Sequence, residues 1–371
     1  MAEEQVDKKA KAKKLADPVA ATIDLASQQM ILRAQELGIE TAFDRAVTMK
    51  PCNIGTQGIC CKNCGMGPCR LPLPKGGIEG EDTRKGICGA TPNTIAARNF
   101  IRMIAGGAAA HSDHGRGVAE VFMSAARKET DVYKIKDTRK LLEVAKWLEV
   151  DTTVEVDGEQ LDRDIDEIAV EVGEKALNEW GKADGELLFA KRAPKARYDI
   201  WKKQGVVPRN IDREIVEIMH RTHIGVDQDY KNLMKQGTRA AIADGWGGSM
   251  LATDLQDILF GTPYPVASEA NLGVMRADMV NLVIHGHEPV LSEMIVAVAQ
   301  TKKMEEYAKS KGAKGIQLSG ICCTANEMLQ RHGVPLCGTF LQQELAIITG
   351  ACDAMVVDIQ CIMQNLANVA N

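Results

Sequence analysis

Long apolar runs are missing from this sequence: no stretch approaches the ~18 residues of a membrane-spanning helix, so no transmembrane segment is expected. The opening MAEEQVDKKAKAKK is charged and lacks the apolar core of a secretory signal. A basic excess is missing too. Lys and Arg number 45 against 50 Asp and Glu, for a net charge of -5, which gives no reason to expect nucleic acid or an anionic membrane as a partner. Aromatic residues are scarce at 4%, so the cores must be packed with aliphatic side chains. These absences leave a cytoplasmic address as the expectation. What is present, 45% hydrophobic and 26% charged residues over 371 positions, fits a soluble globular chain of two domains. In the cytoplasm, eleven cysteines read as metal ligands or buried thiols before disulfides.

Residues 1–16 read as a solvated start. DPVAATIDLASQQMILRAQELG then reads as one helix, with Asp17 as N-cap, Pro18 in the first turn and Gly38 as the stop. Residues 51–90 form a Cys/Gly/Pro loop with no sustained period. Thr91 and Pro92 open a helix, a further one is expected over about 108–127, and helical patterns continue through DTRKLLEVAKWLEV, IDEIAVEVGEKALNEW and DREIVEIMHRTH. Residues 1–262 are thus expected to be all-α apart from the cysteine loop. After FGTPYPVASEANLG the character changes. Strand-like runs at 279–285, 314–319, 334–338 and 354–360 alternate with helical ones, which indicates a doubly wound parallel sheet over 263–371.

Five cysteines fall within CNIGTQGICCKNCGMGPC. Cys61, Cys64 and Cys69 are spaced C-x2-C-x4-C, and Cys88 is placed to complete four thiolates, suiting a [4Fe–4S] centre or structural zinc. Cys52 and Cys60 then make half a site, completed by a second copy of the chain across a two-fold axis, or are simply buried thiols. In open parallel sheets, ligands collect beyond the carboxyl ends of the strands. His285 or His287, Cys322 or Cys323, and Cys361 stand at three such ends, a donor set for a soft transition metal or an iron–sulfur centre. His111 and His114 share a helix face at i and i+3, as proton carriers, metal ligands or surface residues. Cys337 and Cys352 read as small hydrophobes, and His220, His223 and His332 as structural.

CNIGTQGICCKNCGMGPCR, AHSDHGR, DGWGGSM, FGTPYPVASEANLG, HGHEPVLSEM, GICCTANEMLQRHG and MVVDIQCIM together resemble the catalytic subunit of anaerobic nickel–iron carbon monoxide dehydrogenases, in the form found with acetyl-CoA synthase. The resemblance implies a homodimer with a helical amino-terminal domain followed by Rossmann-like domains. It implies a [4Fe–4S] cluster shared between subunits through Cys52 and Cys60, and a relay [4Fe–4S] cluster on Cys61, Cys64, Cys69 and Cys88. It implies that His287, Cys323 and Cys361 ligate a nickel–iron–sulfur cluster, with His287 preferred to His285 and Cys323 to Cys322, and that His111 moves protons. The implied reaction oxidises carbon monoxide with water to carbon dioxide, two protons and two electrons, reversibly. A ferredoxin-like acceptor takes the electrons, and acetyl-CoA synthase is a further candidate partner.

Three features depart from the family pattern. The Cys69–Cys88 gap is long, as though PLPKGGIEGEDTRK were inserted. Gly117 and Glu120 stand where some members continue a histidine run, which argues against a long histidine relay. The sequence stops at Asn371, just past Cys361, whereas the resemblance places further active-cluster ligands beyond it, so an amino-terminal portion is expected. A non-catalytic iron–sulfur electron-transfer module and a hybrid-cluster relative acting on hydroxylamine are the alternative readings.

Overall fold

The computed structural model describes residues 14–371. The solvated start expected over residues 1–16 lies outside the described residues as far as residue 13. Ala16 is already buried, its amide donating to Asp44 Oδ1. The chain forms two compact units, one of Pro51–Thr262 and one combining the residues up to Lys50 with Pro263–Asn371. Residues 14–50, expected with the helical domain, thus belong to the α/β unit. Arg33 Nε donates to the Ile348 carbonyl, and Glu344 accepts from the Ala42 amide and pairs with Arg45 at 2.6 Å. These ties span some 300 positions, beyond the reach of local periodicity.

In the helical unit the Pro92–Ala126 helix is the spine. Thr91 caps it through the Thr94 amide, with Pro92 in its first turn, as the sequence predicts. One 35-residue helix stands where two were expected, because Gly106 and Gly107 do not break it. A helical glycine costs about 1 kcal/mol, far less than the burial gained where the spine packs on Ile165–Gly181, Ile211–Arg221 and Tyr230–Ile242. Ala97, Ile101, Ala105, Ile218, Leu233 and Ala240 form one apolar cluster there. Gly115 allows the closest approach: a Cβ on it would lie 2.6 Å from the Gly248 carbonyl oxygen and 2.9 Å from Trp180.

This unit also carries strands the sequence reading missed. β1 (Cys60–Cys61) and β2 (Cys69–Arg70) make a short antiparallel ladder inside the cysteine loop. β3 (Thr153–Val156) and β4 (Glu159–Asp162) form a hairpin. Asp157 and Gly158, both at positive φ, make its two-residue turn. Every residue of these two strands is exposed, so the alternation of apolar and polar residues that marks a half-buried strand is weak.

The α/β unit holds a four-stranded parallel sheet of β5 (Val280–Gly286), β6 (Ile316–Ile321), β7 (Leu336–Gly338) and β8 (Ala354–Val357), in the order β7-β6-β5-β8. Both faces are covered. Val283 and Ile321 point into one cluster with Leu345, Ile348 and Ile31, while Ile284 and Leu318 point into another with Val296, Ala325 and Met328. The single helix expected from Asp17 to Gly38 is two, Pro18–Ala21 and Leu25–Glu36. Thr22 is extended between them and Asp24 caps the second through the Ser27 amide, a local cap that outcompetes continuation. Among the described residues no helix is long and apolar enough to cross a membrane.

Candidate metal centres

In the helical unit, Cys61, Cys64, Cys69 and Cys88 line one small cavity, together with Asn63, Arg98 and three glycines. The short β1–β2 ladder sets this up. Consecutive strand residues face opposite ways, so Cys61 is buried and lines the cavity while its neighbour Cys60 does not. Cys52 is exposed and also lies outside the cavity wall. Backbone amides of Gly55 and Ile54 hold its thiol below the usual range.

Glycines let the chain close around these thiols. A Cβ on Gly67 would meet the Cys61 carbonyl at 3.0 Å, one on Gly86 the Cys69 sulfur at 3.6 Å, and one on Gly225 the Cys88 sulfur at 3.6 Å. The long Cys69–Cys88 gap is folded back by Arg84, whose guanidinium donates to the carbonyls of Leu71 and Pro72 and pairs with Asp82 at 2.5 Å. That clamp returns Cys88 to the cavity. The Ile87 amide donates to Cys69 Sγ at 3.5 Å and Arg98 to Cys88 Sγ at 3.7 Å. Burial raises the Cys88 thiol, but the Ala90 amide and the Arg98 guanidinium outweigh it and leave the thiol below its usual range. The Asn63 side-chain nitrogen is buried here without a partner. Four thiols, donors directed at sulfur and an orphaned amide suit an iron–sulfur cluster, whose sulfurs accept such bonds.

In the same unit, His111 Nδ1 lies 2.7 Å from Asp244 Oδ1 and 3.2 Å from Ser249 Oγ. Asp244 and Ser249 sit on a π-helical turn, Ala243–Ser249, made of ADGWGGS. Wide turns of this kind re-aim side chains and are frequent at functional sites. Hydrogen bonding to Asp244 holds the His111 pKa above its ordinary value despite partial burial. His114 follows one turn later, with Nε2 buried.

In the α/β unit, His287, Cys322, Cys323 and Cys361 stand at the carboxyl ends of β5, β6 and β8. Cys322 and Cys323 open the Cys322–His332 helix directly from β6, with Cys322 at φ 66 and an isolated bridge to Gly286. Gln360 and Cys361 are likewise left-handed, at φ 62 and 57. Three non-glycine residues held in this conformation around one sheet edge mark a place where the backbone serves something other than stability. Burial, then repulsion from Cys361 and Cys323, pushes the Cys322 thiol up to about 12. Burial and Cys361 push Cys323 up as well. Thiols crowded in this way become thiolates together when a cation shares their charge, which is what a metal cluster provides. Among the described residues no three His, Cys, Asp or Glu side chains stand closely enough to hold a single metal ion.

Two polar residues that the sequence reading did not single out tie these strand ends together. Asp358 accepts from the amides of His287 at 2.6 Å, of Glu288 at 3.1 Å and of Ile359, and from Thr324 Oγ1 at 3.1 Å. Gln343, fully buried, donates to the Cys361 carbonyl at 3.0 Å and accepts from the Met363 amide at 2.7 Å. Its Oε1 also lies 3.0 Å from His285 Nε2. His285 is therefore enclosed within β5, whereas His287 lies just beyond the strand end. Cys337 is fully buried, its thiol directed at the Gly320 carbonyl at 3.5 Å. His332 pairs with Glu293 at 2.6 Å.

The pattern of the Prismane/CO dehydrogenase family matches residues 59–371. The chain is 53% identical over 350 residues to carbon monoxide dehydrogenase 1 of Methanosarcina acetivorans, covering 94% of this chain and 54% of that protein. It is 45% identical to the carbon monoxide dehydrogenase/acetyl-CoA synthase subunit beta of Moorella thermoacetica, over 94% of this chain and 50% of that one. Among solved structures, the nickel-free carbon monoxide dehydrogenase of Thermococcus sp. AM4, produced without its CooC maturase, superposes with a TM-score of 0.88 at 48% identity. That match covers 98% of this chain and 55% of the Thermococcus chain. The chain thus spans about half the length of the relatives it matches. With the family pattern over most of its length and half its residues shared with a carbon monoxide dehydrogenase, the chain belongs to the Prismane/CO dehydrogenase family.

Proposed function

We propose that the whole protein oxidises carbon monoxide with water, giving carbon dioxide, two protons and two electrons, and that the reaction is reversible. The observation that carries the reading is the donor set at the sheet edge: His287, Cys323 and Cys361 at the ends of three parallel strands, tied by Asp358 and Gln343. These three residues would hold part of a nickel–iron–sulfur cluster. When bound, that cluster supplies the Lewis acidity and electron capacity the reaction needs.

The chain's own residues do the rest. Asp358 fixes the backbone of the loop that carries His287, and Gln343 fixes that of the loop that carries Cys361. His111 holds a proton against Asp244 further into the neutral range than an ordinary histidine does. His114, one turn on, is the second proton-handling residue in this reading.

Cys61, Cys64, Cys69 and Cys88 would hold a [4Fe–4S] relay cluster, and Cys52 and Cys60 half of another, completed by the same pair of a second copy. The protein is then a homodimer that passes electrons to a ferredoxin-like acceptor in the cytoplasm. Acetyl-CoA synthase is a candidate partner, supported by the Moorella relative's name. In this reading the relay cluster lies in the Pro51–Thr262 unit and the nickel–iron–sulfur cluster in the unit that holds Pro263–Asn371.

Anaerobic dye reduction tests the reading. The intact protein is expected to reduce a viologen with carbon monoxide as the only reductant, and to lose that activity with His287→Ala or Cys361→Ser. About six irons per chain with no nickel and no such activity would favour an electron-transfer module instead, since each cluster holds four irons and one is shared.

A further inference from the structure

Among the described residues Arg98 is the second largest fully buried side chain, 1% exposed, and it lines the cysteine cavity. A cation taken out of water costs several kcal/mol unless an anion or a full set of hydrogen bonds compensates it. Arg98 has neither. Nη2 donates to the Asp227 carbonyl at 2.7 Å, Nε is buried with no partner, and no carboxylate among the described residues pairs with the guanidinium. The side-chain carboxylate of Asp227 itself pairs with Arg221 at 3.1 Å. The remaining contact of Arg98 is Nη1 to Cys88 Sγ at 3.7 Å. Apart from the four thiols, no other residue lining the cavity among the described residues carries a charge.

A buried guanidinium facing only thiols is compensated when the cavity holds negative charge, and the compensation grows as that charge grows. We infer that Arg98 sets the reduction potential of the cluster held by Cys61, Cys64, Cys69 and Cys88, making it easier to reduce by stabilising the additional electron. The inference rests on the reading of this cavity as an iron–sulfur site. Reduction adds one electron, donated by a dithionite titrant, to a cluster whose net charge becomes one unit more negative. A fixed cation at the edge of a cavity shielded from water favours that state. The geometry holds the cation in place: Asp227 anchors one nitrogen, and Gly225, at φ 74, leaves Cys88 room beside it.

The test is a redox titration of the iron-loaded protein, following the cluster signal that Cys64→Ser abolishes. Arg98→Met is expected to keep the iron content and to move the midpoint to a more negative potential, while Arg98→Lys stays closer to the native value. If Arg98→Met does not fold, Arg98→Gln, which can still donate to the Asp227 carbonyl, takes its place. A native midpoint in an iron-replete uncharged variant overturns the inference. A native protein that binds no iron through these cysteines overturns the reading of the cavity and the inference together, and iron analysis tells the two failures apart.

Discussion

The amide of His287 donates to Asp358 Oδ1 at 2.6 Å, joining the end of β5 to the end of β8 across 71 positions of sequence. The same carboxylate takes the Glu288 amide and the Thr324 hydroxyl, so one side chain braces the ends of three strands. Asp358→Ala is expected to destabilise the protein by about 1–3 kcal/mol, since it strands buried donors. Asp358→Asn, which keeps an acceptor oxygen, is expected to cost less. Thermal melts of the two variants check the order.

Gln343 is expected to matter comparably for the Cys361 loop. Replacing it with Leu removes a donor to the Cys361 carbonyl and an acceptor for the Met363 amide, at a cost of about 1–3 kcal/mol. Gln343→Glu keeps the acceptor alone and should fall between Leu and the native residue in chemical denaturation.

The His111–Asp244 pair gives a pH dependence. The folded pKa of His111 lies above 6.5, because Asp244 hydrogen-bonds its ring. The pair's contribution to stability is therefore complete below about pH 6.5 and is lost as pH rises through the folded pKa. Asp244→Asn should bring the His111 ring, followed by NMR, back towards its ordinary titration. It should also flatten the fall in stability above pH 6.5. A ring that titrates identically in both proteins contradicts the assignment.

Gly225→Ala tests the crowding at Cys88. Its positive φ disfavours any side chain, and the new Cβ would stand 2.9 Å from Gln228 Nε2 and 3.4 Å from the Cys88 Cβ. A loss of about 1–2 kcal/mol is expected from the backbone alone. Iron per chain should drop with it, because the shift falls on a proposed ligand.

Much of this was legible in the sequence where a local rule applied. Thr91 and Pro92 open the spine helix as their side chains require, and all four parallel strands lie where apolar runs alternate with helical ones. The crowded cysteines separate as Cys60 and Cys61 must on an extended backbone, with Cys61 lining the cavity and Cys60 outside it. What was not legible depends on distant partners. Asp358 and Gln343 are ordinary polar residues until β5, β6 and β8 bring their partners to one edge. Arg98 reads as one more charge on an amphipathic helix, and only tertiary packing buries it. The hairpin at 153–162 was missed because an exposed ribbon carries its signal in Asp157 and Gly158 alone.

The most direct test of the proposed reaction is to add carbon monoxide, as the only reductant, to the oxidised intact protein loaded with iron and nickel. The [4Fe–4S] signal lost in Cys64→Ser is expected to become reduced, and to stay oxidised under the same gas in Cys323→Ser. Clusters that dithionite reduces but carbon monoxide leaves oxidised in the native protein would contradict it.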